Sequence, residues 1–151
     1  LEQPVALDLR RIVGYARAGI NLERLADEAV NIAEGALAGV GLPGDCDQNL
    51  EILAEHVGRM FFLSTQAFVS DNPDEALEVC RLDERARELA VGAMRCITEA
   101  LSHSQASPEA SVRAILAVRS FERMGGHAAN IAEILVFITK GVLLSQKCQP
   151  R

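Results

Sequence analysis

Glu23, Asp83 and Glu122 occupy positions where a helical chain normally puts apolar side chains. Heptad spacing from Leu9 selects Leu9, Ile12, Ala16, Gly19, Glu23, Ala26, Val30, Ala33 and Leu37. From Ala76 it selects Ala76, Val79, Asp83, Ala86, Ala90, Ala93, Ile97 and Ala100, and from Ile115 it selects Ile115, Val118, Glu122, Gly125, Ala129, Ala132 and Val136. Each row is small or apolar except for one carboxylate, whereas a fourth row, Leu50, Leu53, Val57, Met60, Ser64 and Ala67, has no acid. Burying an unpaired carboxylate costs at least several kcal/mol. Each acid is therefore expected to meet a metal ion, an arginine or a proton. Carboxylates projecting from facing helices are one way that bundles build metal sites. The competing expectation puts the acids at the seam edge, satisfied by water or a nearby arginine.

Four helices are expected to position these residues. The first spans about Pro4 to Ala38 and is stopped by Gly39, Gly41, Pro43 and Gly44. The second spans about Gln48 to Val69, with Asp47 as N-cap and Asp71-Asn72-Pro73 as its end. The third follows with Asn72 as cap, Pro73 at the first position and Glu75 completing a capping box, and reaches Ser102. The fourth has Ser107 as cap, then Pro108, and ends near Lys140 or Gly141. No stretch alternates with period two, so the expected class is all-α. Small residues near the acids (Gly19, Ala26, Gly125, Gly126, Ala129) either leave room for an ion or simply let helices pack closely.

Glu23 to Glu34 aligns with Glu122 to Glu133, with seven of twelve positions identical. Two related halves packed side by side are the simplest explanation. Asn31 and Asn130 match within this repeat. They are expected either to orient carboxylates or pair across helices, or to face solvent.

The 151 residues suit one domain or two small subdomains of one helical body. Hydrophobic residues make up 49% and charged residues 24%, enough for a real core. A formal charge of −6 with 4% aromatics speaks against nucleic acid, which selects basic faces and stacking rings, and against an anionic membrane surface. The widely spaced Cys46, Cys80, Cys96 and Cys148 read as free thiols of a reducing cytosol rather than a zinc knuckle. No signal peptide is visible. The most apolar stretch, Ile131 to Leu144, is broken by Glu133 and Lys140 and is shorter than the ~18–20 residues of a membrane span. Leu1 in place of Met is what a fragment would show.

The segments Gln3 to Val13 (QPVALDLRRIV), Asn21 to Glu34 (NLERLADEAVNIAE) and Phe121 to Glu133 (FERMGGHAANIAE) resemble the PhoU family of phosphate-uptake regulators over nearly the whole chain. The resemblance implies tandem, pseudo-symmetric three-helix bundles, all-α. Residues 1–40 would be the third helix of the first half, 41–47 a linker, and 48–151 the three-helix second half. The first half's other helices would be missing, apart from a tail around Leu1 to Gln3.

The same resemblance implies a non-enzymatic, cytoplasmic negative regulator of phosphate uptake and phosphate-starvation signalling. Its partners would be the ATP-binding subunit of a phosphate transporter and a phosphate-sensing histidine kinase. It would form a homodimer and reach the membrane only through those partners. Iron or zinc would be the cofactor, held by acids spaced i, i+4 on one helix face. Carried over, the metal ligands would be Glu23 and Asp27, with Asp83 and Glu122 in the second half. There, however, Arg87 and Gly126 stand where the family has acids. Arg87 could instead bridge Asp83 and Glu122 with its forked guanidinium, in the space left at Gly126. His127 is either a stray ligand or, in the blander expectation, an outward polar side chain.

Other readings are an accessory subunit of another phosphate or ion transporter, or a metal-binding carboxylate bundle. A di-metal enzyme would need Glu-x-x-His on two helices, a spacing that Glu55-His56 and Gly126-His127 do not provide. Ser64, Ser102 and Ser120 lie in helical segments without a nucleophile elbow, and no phosphate-binding P-loop is present.

Overall fold

The computed structural model describes residues 3–37 and 41–142, with side chains from residue 7 onward. It contains four helices: α1 (Gln3–Leu37), α2 (Gly44–Ser70), α3 (Pro73–Ser102) and α4 (Pro108–Lys140). The all-α class therefore holds, with no strand among the described residues. The expectations for Ala38, Gly39, Cys148 and the tail of the apolar stretch at Leu143 and Leu144 fall outside the described residues.

The punctuation follows backbone chemistry. Asn72 accepts from Asp74 N at 3.0 Å, with Pro73 at the first position of α3. Ser107 Oγ accepts from Ala110 N at 3.1 Å at the start of α4. Gly141, at φ 69°, ends α4 in the left-handed conformation and donates its N–H to Phe137 O. Two caps differ from expectation. α2 starts at Gly44 after the fixed φ of Pro43, so Asp47 lies inside the first turn, where its charge favours the helix dipole. The Glu75 carboxylate accepts from Ser70 Oγ at 3.3 Å, so the only bond described for it leaves the capping box unclosed.

α2, α3 and α4 pack pairwise on one another, and the backbone of α1 approaches only α4. The main core is built from Leu53, Val57, Met60, Val79, Ile97, Val118, Leu135 and the alanines of α3. Every residue of the expected α3 seam, from Ala76 to Ala100, is buried. α4 is central and buries both of its faces, one on α2 and α3 and one on α1. Its contacts with α1 run Arg10 by Gly141, Gly14 by Ile138, Asn21 to Asn130 and Glu28 to Arg123, an antiparallel order. Side chains carry the contact from α1 to α2: Tyr15 and Phe68 stack tilted at 5.7 Å, and Arg11 pairs with Asp71.

The expectation of free thiols is overturned, since no described cysteine is free. Cys46 and Cys96 form a disulfide, with Cα atoms 5.6 Å apart across 50 residues of sequence. Antiparallel packing of α2 and α3 brings the start of one helix to the end of the other. Cys80 is buried in the core. No described helix is long and apolar enough to cross a membrane.

Candidate functional site

α3 and α4 meet over a cavity of about 270 Å³ lined by Asp83, Ala86, Arg87, Arg119, Glu122, Arg123 and Gly126. Four of the residues singled out in the sequence thus share one site. Asp83 is buried on α3, and its carboxylate accepts a charge-assisted hydrogen bond from Arg87 Nη2 one turn later on the same helix. Glu122 on α4 accepts from Arg119 Nη1 at 2.7 Å. The expected bridge is therefore half realised: Arg87 neutralises Asp83, but Arg119 takes Glu122. An i, i−3 partner on its own helix lies closer to Glu122 than a guanidinium from the next helix. No Cβ occupies the space beside Gly126, and an added one would meet nothing within 4 Å.

A second polar seam, between α1 and α4, is unforeseen in most of its members. Glu28, almost enclosed with 10% of its side chain exposed, pairs with Arg123 at 3.0 Å. Asn31 donates to the same carboxylate at 3.4 Å. Higher on the pair, Asn21 Oδ1 accepts from Asn130 Nδ2 at 3.1 Å and lies 3.1 Å from His127 Nδ1. Asn31 hydrogen-bonds Glu28 rather than either repeat acid, Asn130 pairs across helices with Asn21, and both asparagines stay exposed, as the alternative expectation has it. His127 turns toward α1 rather than outward. Burial lowers its pKa from the usual 6.5, Arg24 and Arg123 push it the same way, and Glu28 opposes them. The signal for this seam was the repeat itself, since Arg24 and Arg123 match, as do Asn31 and Asn130.

Glu23 and Asp27 stand apart from both groups. The structure overturns the expectation that Glu23 points into the bundle. The whole α1 row from Leu9 to Leu37 is exposed, Glu23 included, because α1 turns a different face, Gly14, Ala18, Leu25 and Glu28, onto α4. Glu23 and Asp27 still share one face of α1, yet they do not meet Asp83 or Glu122. Among the described residues no three His, Cys, Asp or Glu side chains form a metal-binding group. The donors at the α3–α4 cavity are already held by arginines, and Glu23 and Asp27 supply two carboxylates on an exposed face of α1. Among the described residues no donor set fits an iron or zinc centre.

The PhoU domain profile matches residues 1–36 and 50–135. The chain is 32% identical over 146 residues to the phosphate-specific transport system accessory protein PhoU homolog of Pseudomonas aeruginosa, covering 92% of this chain and 58% of that protein. It is 30% identical to PhoU homolog 1 of Methanothermobacter thermautotrophicus (91% and 64%) and 28% identical to PhoU of Escherichia coli (92% and 58%). It thus spans little more than half the length of the bacterial relatives. The crystal structure of PhoU from Pseudomonas aeruginosa superimposes with a TM-score of 0.82 at 31% identity, covering 93% of this chain and 68% of that one. With profile, relatives and four-helix packing in agreement, the chain belongs to the PhoU family.

Proposed function

We propose that this chain works in a phosphate-uptake system as a regulatory accessory protein. It acts by contact between helical faces rather than by chemistry on a substrate. It restrains uptake and phosphate-starvation signalling by binding the transporter's ATP-binding subunit and a phosphate-sensing histidine kinase on the cytoplasmic side, as a homodimer. The observation that carries this reading is the match, over 92% of the chain, to proteins named as accessory to phosphate-specific transport. The site supports it: each inward acid is neutralised within the protein by an arginine, which suits a permanent structural seam rather than a reactive centre. Residues 1–40 serve as the last helix of a first half, and 48–151 form the second half.

Deleting the gene in its host and measuring phosphate uptake in phosphate-rich medium tests the role. Raised uptake with the starvation response switched on is expected. Unchanged uptake, together with no co-purification of the ATP-binding subunit on the tagged protein, would count against the proposal.

A further inference from the structure

Cys80, buried on α3, is one half of a disulfide. The chain has four cysteines, and Cys46 and Cys96 are bonded to each other, which leaves Cys148 as its partner within the chain. The outer face of α3 independently calls for a covering segment. A hollow of about 1080 Å³ runs along it, and every described residue that lines it belongs to α3, among them Leu77, Cys80, Glu84 and Arg87. A single helix is convex and cannot enclose a hollow, so a second wall is required that the described parts of α1, α2 and α4 do not supply.

We infer that Cys148 bonds Cys80, and that the bond straps residues 143–151, which lie outside the described residues, along the outer face of α3. The reach is short. Lys140 Nζ lies 3.0 Å from Asp74 Oδ1, so the chain leaves α4 beside the first turn of α3. From Asp74 to Cys80 the helix rises about 9 Å, and the six residues from Val142 to Cys148 span up to about 20 Å when extended. The order of side chains fits the same direction. Leu143 and Leu144 come first, on the stretch where Leu77 lines the hollow. Lys147 flanks the cysteine and Arg151 follows it, while Glu84 stands one turn beyond Cys80 on the same face. A strap running this way lays cations over that acid. The cover then follows the thiol state of its surroundings. Reduction by a thiol donor adds two electrons and two protons, breaks the S–S bond into two thiols and frees the strap; oxidation closes it again. The inference stands apart from the proposed function, since the bond forms or fails to form whatever partners the chain has.

Disulfide mapping on the 151-residue chain tests the bond. Oxidised glutathione serves as the acceptor: two protein thiols become one disulfide, and one glutathione disulfide leaves as two glutathione thiols. Remaining thiols are then alkylated, and the protein is digested with trypsin and weighed without reduction. Cleavage after Arg59, Arg81, Arg95 and Lys147 puts each cysteine on its own peptide. Peptide 60–81 joined to peptide 148–151 is expected. Cys148 recovered as an alkylated thiol, as a mixed disulfide with glutathione, or joined to Cys148 of a second chain overturns the inference. The cover is read separately. Reduction also opens Cys46–Cys96, so Cys148→Ser is used, which keeps that bond and leaves the buried position at Cys80 untouched. With helical circular dichroism unchanged, hydroxyl-radical oxidation of Leu77 should rise at least about twofold over the oxidised parent, while that of Leu101, at the far end of α3, stays the same. Equal oxidation of Leu77 in the two proteins overturns the strap even if the bond is found.

Discussion

Asp83 is held by one neighbour on its own helix. Its carboxylate is 12% exposed and leans on Arg87, which is half exposed. Arg87→Ala would leave the acid enclosed without its cation, so a loss of about 1–3 kcal/mol is expected in urea unfolding. Adding Asp83→Ala should return part of that loss, because the stranded charge is then gone. A double-mutant cycle showing no coupling would mean that water already satisfies Asp83. Since Arg87 and Arg119 hold the acids, protein purified without chelator should carry iron or zinc at under about a tenth of an equivalent. His127 makes a pH test. Its folded pKa lies below the ordinary 6.5, so the unfolded chain takes up the proton first as pH falls. Stability should therefore be level above about pH 6.5, decline below it, and level again once the lowered folded value is passed. His127→Gln should flatten that decline while keeping a hydrogen-bonding group beside Asn21.

Helix by helix, legibility tracked how many sides each helix buries. α3 has one buried face, and every residue of its 3.5-residue row lies on it, Cys80 being the one buried residue the row missed. α4 is buried on two sides, so its single row, Ile115 to Val136, named only five of its fourteen buried residues and missed Ile131, Ile134 and Ile138. α1 misled because its most regular apolar row is the one that faces away from the other helices of the chain. Its true contact face uses Gly14, Ala18 and Leu25, interrupted by Asn21 and Glu28, and reads as polar in the sequence. The two glycines at helix contacts separate these cases. A methyl group at Gly14 would overlap Ile138, so Gly14→Ala should cost about 1–3 kcal/mol and loosen α1 on α4. At Gly125 an added Cβ would meet Ala86 and Met60 at 3.7–3.8 Å, ordinary contact distances. Gly125→Ala should therefore stabilise by about 0.5–1 kcal/mol through helix propensity. Thermal melts that rank the two alike would mean that the α1–α4 contact is not held at Gly14.

The four-helix order and the family were legible across the whole chain because caps, prolines and the repeat are local signals. The Cys46–Cys96 bond was not, because pairing depends on which helix ends meet, and the spacing of cysteines along the chain does not encode that. α2 and α3 are joined by a tight turn at Asp71 and Asn72 and run back along each other, so the disulfide clamps the end of the pair farthest from that turn. It closes a long loop, and removing such a bond from the unfolded chain releases considerable entropy. Cys46→Ala with Cys96→Ala should thus lower stability by about 2–4 kcal/mol. The loss should concentrate at the far end: amide exchange should quicken first near Cys46 and Cys96, while Met60, Val79 and Ala86, nearer the turn, keep their protection. The α1–α4 seam, which contains no part of this bond, should keep its Glu28–Arg123 pair. Uniform loss of protection across all four helices would show instead that the bundle unfolds as a single unit and that the disulfide acts only on the unfolded chain.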